Sequence, residues 1–407
     1  MALTSAPAHI SLLSSAEHFQ NILLSLHGLR EIPKWNVVFC GDAWYIRYGI
    51  WRRGHMERSN RDGYMGEDHV FLRACRREPT EYTPIWLMRQ AGRYMEEYRN
   101  IRRKVSFLDL CKSPDLAAEV TLLPVEKLEV DAAIIFGDIL LPLEGMGVYL
   151  EFSRDGGPII RNPIRARADI ERLRIIDPDE HVSFLLKAIE IVRQELDGRV
   201  PLIGFSGAPF TLASYLIEGG RSTSFSETKG LMFGLPSSWH LLMEKLTEVT
   251  IRYLRAQVHR GVQALQIFDS WVGCLSPWDY EAHVLPYSRR VLQEVGEGVP
   301  LIHFTIGTGG YLHLIREAGG DVIGVDWRTE LGEAWGRLGY DVGIQGNLDP
   351  SVLLGSSQTI EAYVRKILES AEDRPGHIFN LGHGVLPHTP VENAIFLVET
   401  VHRLSKR

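Results

Sequence analysis

The chain has 407 residues, a formal net charge of −7 and the apolar and charged fractions of an ordinary globular protein. With that balance and no basic run, a general nucleic-acid surface is excluded, and any anion site has to be local. No apolar run approaches the ~18–20 residues that cross a bilayer, and the four cysteines lie far apart without a CxxC or His/Cys cluster, which fits free thiols in a reducing compartment rather than disulfides or zinc.

Residues 1 to 66 read differently from the rest. Ile10 to Leu29 has apolar residues spaced for one amphipathic helix (Ile10, Leu12, Leu13, Phe19, Ile22, Leu23, Leu26). Trp35 to Trp51 is aromatic and poorly patterned, and residues 52 to 66 are rich in Arg, Gly, Asn and Asp, which suits a loop or linker. The first 30 residues hold serine and few acids, but they lack the basic n-region of a secretory signal and carry little of the arginine of a mitochondrial one. Met56 and Met65 would each begin a chain that leads straight into the domain. A targeting segment, a linker and a mis-assigned start all stay open, and no function is assigned to this extension.

From residue 67 to 407 the pattern is regular and reads as a single domain. Short apolar strands are expected at Ile85–Met88, Ala132–Phe136, Leu202–Phe205, Ala264–Phe268, Leu301–Phe304, Val322–Val325, Val342–Ile344 and Ile378–Leu381. Amphipathic helices alternate with them: Pro114–Leu128, with Ser113 as N-cap and Pro114 at the first helical position, then His181–Glu195, Leu241–Arg260, Tyr280–Val295, Tyr311–Ala318, Ile360–Glu372 and Val391–Leu404. Eight strands, each followed by helical sequence, predict an α/β fold of the (β/α)8 TIM-barrel type. An open doubly wound sheet usually advertises a glycine-rich first turn, and the first turn here is Arg-Gln-Ala-Gly-Arg. Val148 to Ile159, with Asp155-Gly156-Gly157 as a turn, reads as a hairpin inserted after the second strand.

In such a barrel the chemistry sits at the C-terminal ends of the strands. Those ends read Arg89-Gln90, Gly137-Asp138, Ser206-Gly207-Ala208-Pro209, Asp269-Ser270, Thr305-Ile306-Gly307, Asp326-Trp327, Gln345-Gly346-Asn347 and Gly382-His383-Gly384. Polar groups and glycines converge on one rim. Arg89 and Arg93 place two always-charged, fork-shaped donors four residues apart, suited to carboxylate or phosphate. Gly92 between them lets backbone come close to what they hold. His383, set between two glycines, has to lie close to a ligand or to another backbone. Thr308-Gly309-Gly310 has no Gly-Lys-Ser/Thr after it and is left as barrel backbone.

The segments Ile85–Tyr94 (IWLMRQAGRY), Gly204–Gly220 (GFSGAPFTLASYLIEGG), Phe268–Pro277 (FDSWVGCLSP), Val322–Arg328 (VIGVDWR), Gln345–Pro350 (QGNLDP) and Asn380–Gly384 (NLGHG) closely resemble the uroporphyrinogen decarboxylase family. The resemblance runs from about residue 69 to the C-terminus with the motifs in order, and residues 1 to 66 have no counterpart in it. It implies a cytoplasmic, usually homodimeric enzyme of haem and chlorophyll synthesis that needs no cofactor and no metal. Such an enzyme removes the four acetate carboxyls of uroporphyrinogen III to give coproporphyrinogen III.

Residue by residue, the resemblance implies that Arg89 and Arg93 bind the substrate's carboxylates and that Gln90 is also substrate-binding. Asp138 matches the family aspartate that accepts hydrogen bonds from the pyrrole N–H groups, a role suited to a group that only accepts. The family usually has serine before this aspartate, and here that position is Gly137. Tyr215 can bond Asp138 or a substrate carboxylate, Ser270 and His383 match carboxylate contacts, and Phe268 offers the macrocycle an apolar face. Asp138, Arg89 and Tyr215 form the implied catalytic set. Asp138 would stabilise the cation formed when a pyrrole α-carbon is protonated. The proton donor stays open between Arg89, a bound water and the substrate's own carboxyl. The rival within the superfamily is a zinc-dependent corrinoid or thiol methyltransferase, which binds metal through a His-x-Cys pair; here the fifth strand reads His303-Phe304-Thr305.

Overall fold

The computed structural model describes residues 35–40, 43–48, 69–153, 157–295 and 298–407. The chain divides into two units, Met1–Gly63 and Tyr64–Arg407. In the first, β1 (Trp35–Cys40) and β2 (Ala43–Tyr48) pair antiparallel, from Trp35↔Tyr48 to Cys40↔Ala43. The aromatic stretch from Trp35 therefore holds a hairpin, despite its poor patterning. Its sequence signal is a pair of aromatic and β-branched runs on either side of Gly41-Asp42. The helix expected over Ile10 to Leu29 and the loop expected over 52 to 66 lie outside the described residues.

The second unit begins its sheet with β3 (Ala133–Ile134). The expected hairpin follows as β4 (Leu150–Phe152) and β5 (Pro158–Ile160), antiparallel from Leu150↔Ile160 to Phe152↔Pro158; most of its turn lies outside the described residues. The remaining strands are β6 (Leu202–Gly207), β7 (Ala264–Asp269), β8 (Leu301–Thr305), β9 (Val322–Gly324), β10 (Gly343–Leu348) and β11 (His377–Leu381). Seven of them make one sheet in the order β11-β10-β9-β8-β7-β6-β3. Every pairing in it is parallel, so each connection has to return through helical sequence. All residues of β6 and β10 are buried, as in a parallel sheet covered on both faces.

The first expected strand, Ile85–Met88, forms no ladder. It makes one parallel bridge, Ile85↔Phe379, against β11. Phe379 N–H donates to Pro84 O (2.8 Å), and on the β3 side Asp131 N–H donates to Ile85 O (2.8 Å). Trp86 N–H donates to Phe379 O (3.4 Å), and the other three N–H groups of the segment bond side chains: Ile85 to Asp131 Oδ2 (2.7 Å), Leu87 to Gln90 Oε1 (3.1 Å) and Met88 to Asn380 Oδ1 (3.0 Å). Side-chain acceptors have replaced a strand partner, so the sheet is a curled α/β sheet of seven laddered strands rather than eight. Inside the sheet, Trp86 Nε1–H donates to Gln345 Oε1 (2.9 Å), whose Nε2 donates to Gln266 Oε1 (2.9 Å), tying this segment to β10 and β7.

Two helices stand at the expected bounds, Pro114–Leu128 and Val391–Leu404. Ser113 is at the N-cap position of the first, but its hydroxyl caps no N–H group. The helix expected over Tyr280–Val295 is two, Pro277–His283 and Leu285–Val295; Pro286 lacks the N–H that would continue the first.

Candidate active site

At the rim, Arg89 leaves the Ile85–Met88 segment in the left-handed region (φ 60°), an uncommon conformation for a residue with a Cβ. Gln90 N–H to Leu87 O (2.8 Å) fixes the turn. A Cβ on Gly92 would stand 3.1 Å from Arg89 O, so the close approach glycine permits is to the chain's own carbonyl. Arg89's side chain is exposed and passes along Gly384, where a Cβ would collide with its Cδ. On the other side of His383, a Cβ on Gly382 would collide with Trp327 N. The glycines around His383 are thus required by Arg89 and by a neighbouring backbone.

His383 Nδ1 accepts Gly384 N–H (2.7 Å), and the ring stands edge-on to Trp327 at 6.4 Å. Burial, then the charges of Arg89 and Arg328, pull its imidazole down to about 4, with Asp326 opposing. At neutral pH the ring is uncharged, and Nε2–H is the donor left for a carboxylate.

Asp138 Oδ1 accepts Leu140 N–H (2.9 Å). It is not a helix N-cap: the next helix, Leu141–Gly145, has Leu140 at that position. Burial pushes the carboxyl above the ordinary range, while the Leu140 N–H and the Arg89 charge hold it back. A Cβ at Gly137 would meet Leu185 Cδ1 at 3.0 Å, so a serine there would need the leucine's end methyl to shift slightly.

Tyr215 lies on the Pro209–Glu218 helix after β6, edge-on to Trp271 at 5.8 Å. Its phenol is raised by burial and then by the Asp138 charge, and lowered first by a hydrogen bond with Trp271 and then by Arg89 and Arg221. Arg89, Asp138 and Tyr215 therefore share one electrostatic field. Phe268 stands edge-on to Phe205 and to Phe304, each at 5.8 Å, and Phe205 reaches within 3.7 Å of a Cβ position on Gly137. Arg93 is exposed; its charge reaches Tyr98, which packs on Phe136 (5.8 Å) just ahead of Asp138. Ser270 is half-buried at the end of β7.

Gln90 has a different place. It is buried, with Oε1 accepting from Leu87 N and Nε2 donating to Ala132 O (3.1 Å), so both ends of its amide hold backbone. Asp269, beside Ser270, is fully buried and accepts from Thr211 Oγ1 (3.0 Å) and Ser288 Oγ (3.5 Å). Burial pushes it up to about 7.

Sequence reasoning passed over two rim arginines. Arg221 directly follows the Gly219-Gly220 pair, and Arg328 ends the Val322–Arg328 motif. Both were visible as cations appended to family-like segments. Among the described residues no group of three His, Cys, Asp or Glu side chains is placed to hold a metal ion. Cys75 and Cys111 are buried free thiols.

The family model described as uroporphyrinogen decarboxylase (URO-D) matches residues 67–404. A uroporphyrinogen decarboxylase of Carboxydothermus hydrogenoformans is 60% identical over 337 residues, covering 83% of this chain and 96% of that protein. The chain belongs to the uroporphyrinogen decarboxylase family. A second uroporphyrinogen decarboxylase, from Syntrophotalea carbinolica, is 56% identical over 84% of this chain and 99% of that protein. Among solved structures, a methyltransferase from Methanosarcina mazei superposes with a TM-score of 0.69 at 20% identity, covering 82% of this chain and 98% of that one. At that identity the likeness is one of fold alone. No helix among the described residues is long and apolar enough to cross a membrane.

Proposed function

We propose that this chain is a carboxy-lyase that converts uroporphyrinogen III to coproporphyrinogen III by removing its four acetate carboxyls. The observation that carries this is the match of residues 67–404 to the uroporphyrinogen decarboxylase family model, with 60% identity to one such enzyme over 96% of its length. In this reading Ile85–Met88 is the eighth element of a closed barrel, bonded to β11 at Phe379 and to Asp131 just ahead of β3. Residues 67–407 are the catalytic domain and residues 1–66 an extension outside it. The enzyme works in the cytoplasm, as a homodimer, without metal or organic cofactor.

Decarboxylation of a pyrrole acetate needs an electron sink, which the ring supplies once its α-carbon is protonated. The bond to the carboxylate then breaks, its electrons neutralise the ring cation and carbon dioxide leaves. Protonation of the exocyclic carbon gives the methyl group, and loss of the α-proton restores the pyrrole. Asp138, acceptor-only and charged beside Arg89, receives the pyrrole N–H groups and stabilises the cation at its point of formation. Arg89, Arg93, Ser270 and His383 hold peripheral carboxylates, Tyr215 bonds Asp138 or a carboxylate, and Phe268 faces the macrocycle. Gln90 takes part through the backbone it orders around Arg89.

Anaerobic incubation with uroporphyrinogen III, followed by chromatography of the oxidised porphyrins, tests this reading. Hepta-, hexa-, penta- and tetracarboxyl porphyrins are expected, and equally so after dialysis against chelator. Unchanged uroporphyrin overturns the reading, and a loss restored specifically by zinc moves the protein to the methyltransferase branch.

A further inference from the structure

The substrate proposed above carries eight carboxylates, more than Arg89 and Arg93 can pair. After β9 the chain reads Asp326-Trp327-Arg328, and this turn abuts the His383 loop through the close approach of Gly382 to Trp327 N. Asp326 is a fixed post: its side chain is 2% exposed, Oδ2 accepts Gly307 N–H (2.6 Å), and Oδ1 accepts Arg328 N–H (2.9 Å). The Arg328 guanidinium lies over the Trp327 ring at 4.1 Å and donates from Nη1 to Asp326 Oδ2 (2.9 Å). The aromatic face and the carboxylate together orient the planar fork, at a rim position where the Arg328 side chain is 54% exposed. Among the described residues its Nε and Nη2 edge has no acceptor, so one bidentate face is left open. Trp327 is also the ring against which His383 stands.

We propose that Arg328 is a carboxylate-binding residue of this site, forming with His383 a subsite for one peripheral carboxylate of the tetrapyrrole. Asp326 and Trp327 are its positioning residues. The subsite rests on the decarboxylase reading, so its test has to separate from that reading. A role confined to neutralising Asp326 is the alternative, and Asp326 already has two backbone donors.

The measurement is Kd for uroporphyrinogen by anaerobic ultrafiltration, with KM and kcat in parallel, on wild type, Arg328→Gln and Arg328→Lys, each checked by thermal melt. Loss of one charge-assisted fork should raise Kd and KM about tenfold in Arg328→Gln, with kcat nearly kept. Arg328→Lys should fall between, because it keeps the charge and loses the fork. Coproporphyrinogen, which retains the propionates but not the acetates, identifies the ligand. If its binding weakens equally the subsite holds a propionate, and if only uroporphyrinogen weakens it holds an acetate. Wild type that binds uroporphyrinogen without converting it defeats the decarboxylase reading but leaves this comparison of Kd intact. Unchanged Kd and KM in folded Arg328→Gln overturn the subsite. So does an equal loss in both variants accompanied by a lower melting temperature, or wild type that does not bind uroporphyrinogen.

Discussion

The two ends of the sheet use the same residue types for opposite purposes. At the base, a polar residue just ahead of one strand clamps the first residue of its neighbour in both directions. Asp131 N–H donates to Ile85 O (2.8 Å) while Asp131 Oδ2 accepts Ile85 N–H (2.7 Å). Asp321 and Leu301 repeat the exchange at 2.8 Å each way, and Gln263 and Leu202 repeat it at 2.8 and 3.3 Å. Asp131 goes on to accept from Tyr82 OH (2.8 Å) and to pair with His402 Nε2 (2.8 Å). At the rim, Asp138 accepts one backbone N–H, and the Arg89 charge acts on it through space. Saturated carboxylates stabilise a fold; an undersaturated one, held above its ordinary pKa by burial, is left able to act on something else.

That contrast breaks first at Asp138. Asp138→Asn is nearly isosteric, but it removes the charge and turns a donor toward pyrrole N–H groups. If the charge stabilises the protonated ring, kcat should fall on the order of 10²–10³-fold while binding weakens much less. Steady-state kinetics on the folded variant decides it, and near-normal kcat would remove Asp138 from the chemistry. Wild-type activity also needs the ionised carboxyl, whose pKa is raised. Activity should therefore be present above that folded pKa and be lost as pH falls through it, at a higher pH than an ordinary aspartate would give.

Asp131 supplies the opposite case. Asp131→Ala leaves Ile85 N–H, Tyr82 OH and His402 Nε2 without their acceptor in a position that is 7% exposed. The expected cost is about 3 kcal/mol of folding stability, read from denaturant melts. The kcat of the folded fraction should stay near wild type, since none of these groups reaches the rim. A stable but inactive variant would show that base and rim are not separate in the way their hydrogen bonds indicate.

The rim was far more legible in the sequence than the base. Strand ends announce themselves, because an apolar run stops at a polar pair, and Asp138, Ser270 and His383 could be placed that way without knowing which strands are neighbours. The clamps cannot be read so. Asp131 and Ile85, or Asp321 and Leu301, are linked only once the strand order is known. The same gap explains Ile85–Met88: its composition is that of a strand, but Asp131, Gln90 and Asn380 take the bonds a ladder would have made. Gln90 shows the same gap, since a glutamine beside an arginine reads as a ligand, and that its amide bonds Leu87 N and Ala132 O is visible only in the fold. Arg328 lay within a quoted motif, and its value depends on the fold that brings Trp327 against the His383 loop.

The smallest effect is expected where the comparison does not reach. The clamps and the rim draw on residues from Tyr82 to His402, and the family model begins at residue 67. The hairpin of β1 and β2 belongs to the other unit, which ends at Gly63. A chain beginning at Met65 keeps every group named at either end of the sheet. It should therefore melt close to the full chain and retain most of its kcat and KM. A soluble truncation with an unchanged melt but lost turnover would give residues 1–64 a part in the rim. A truncation with a lowered melt and intact specific activity would give them a part in the base. Either result would redraw the division between the two ends by adding a contributor that neither the clamps nor the strand ends supply.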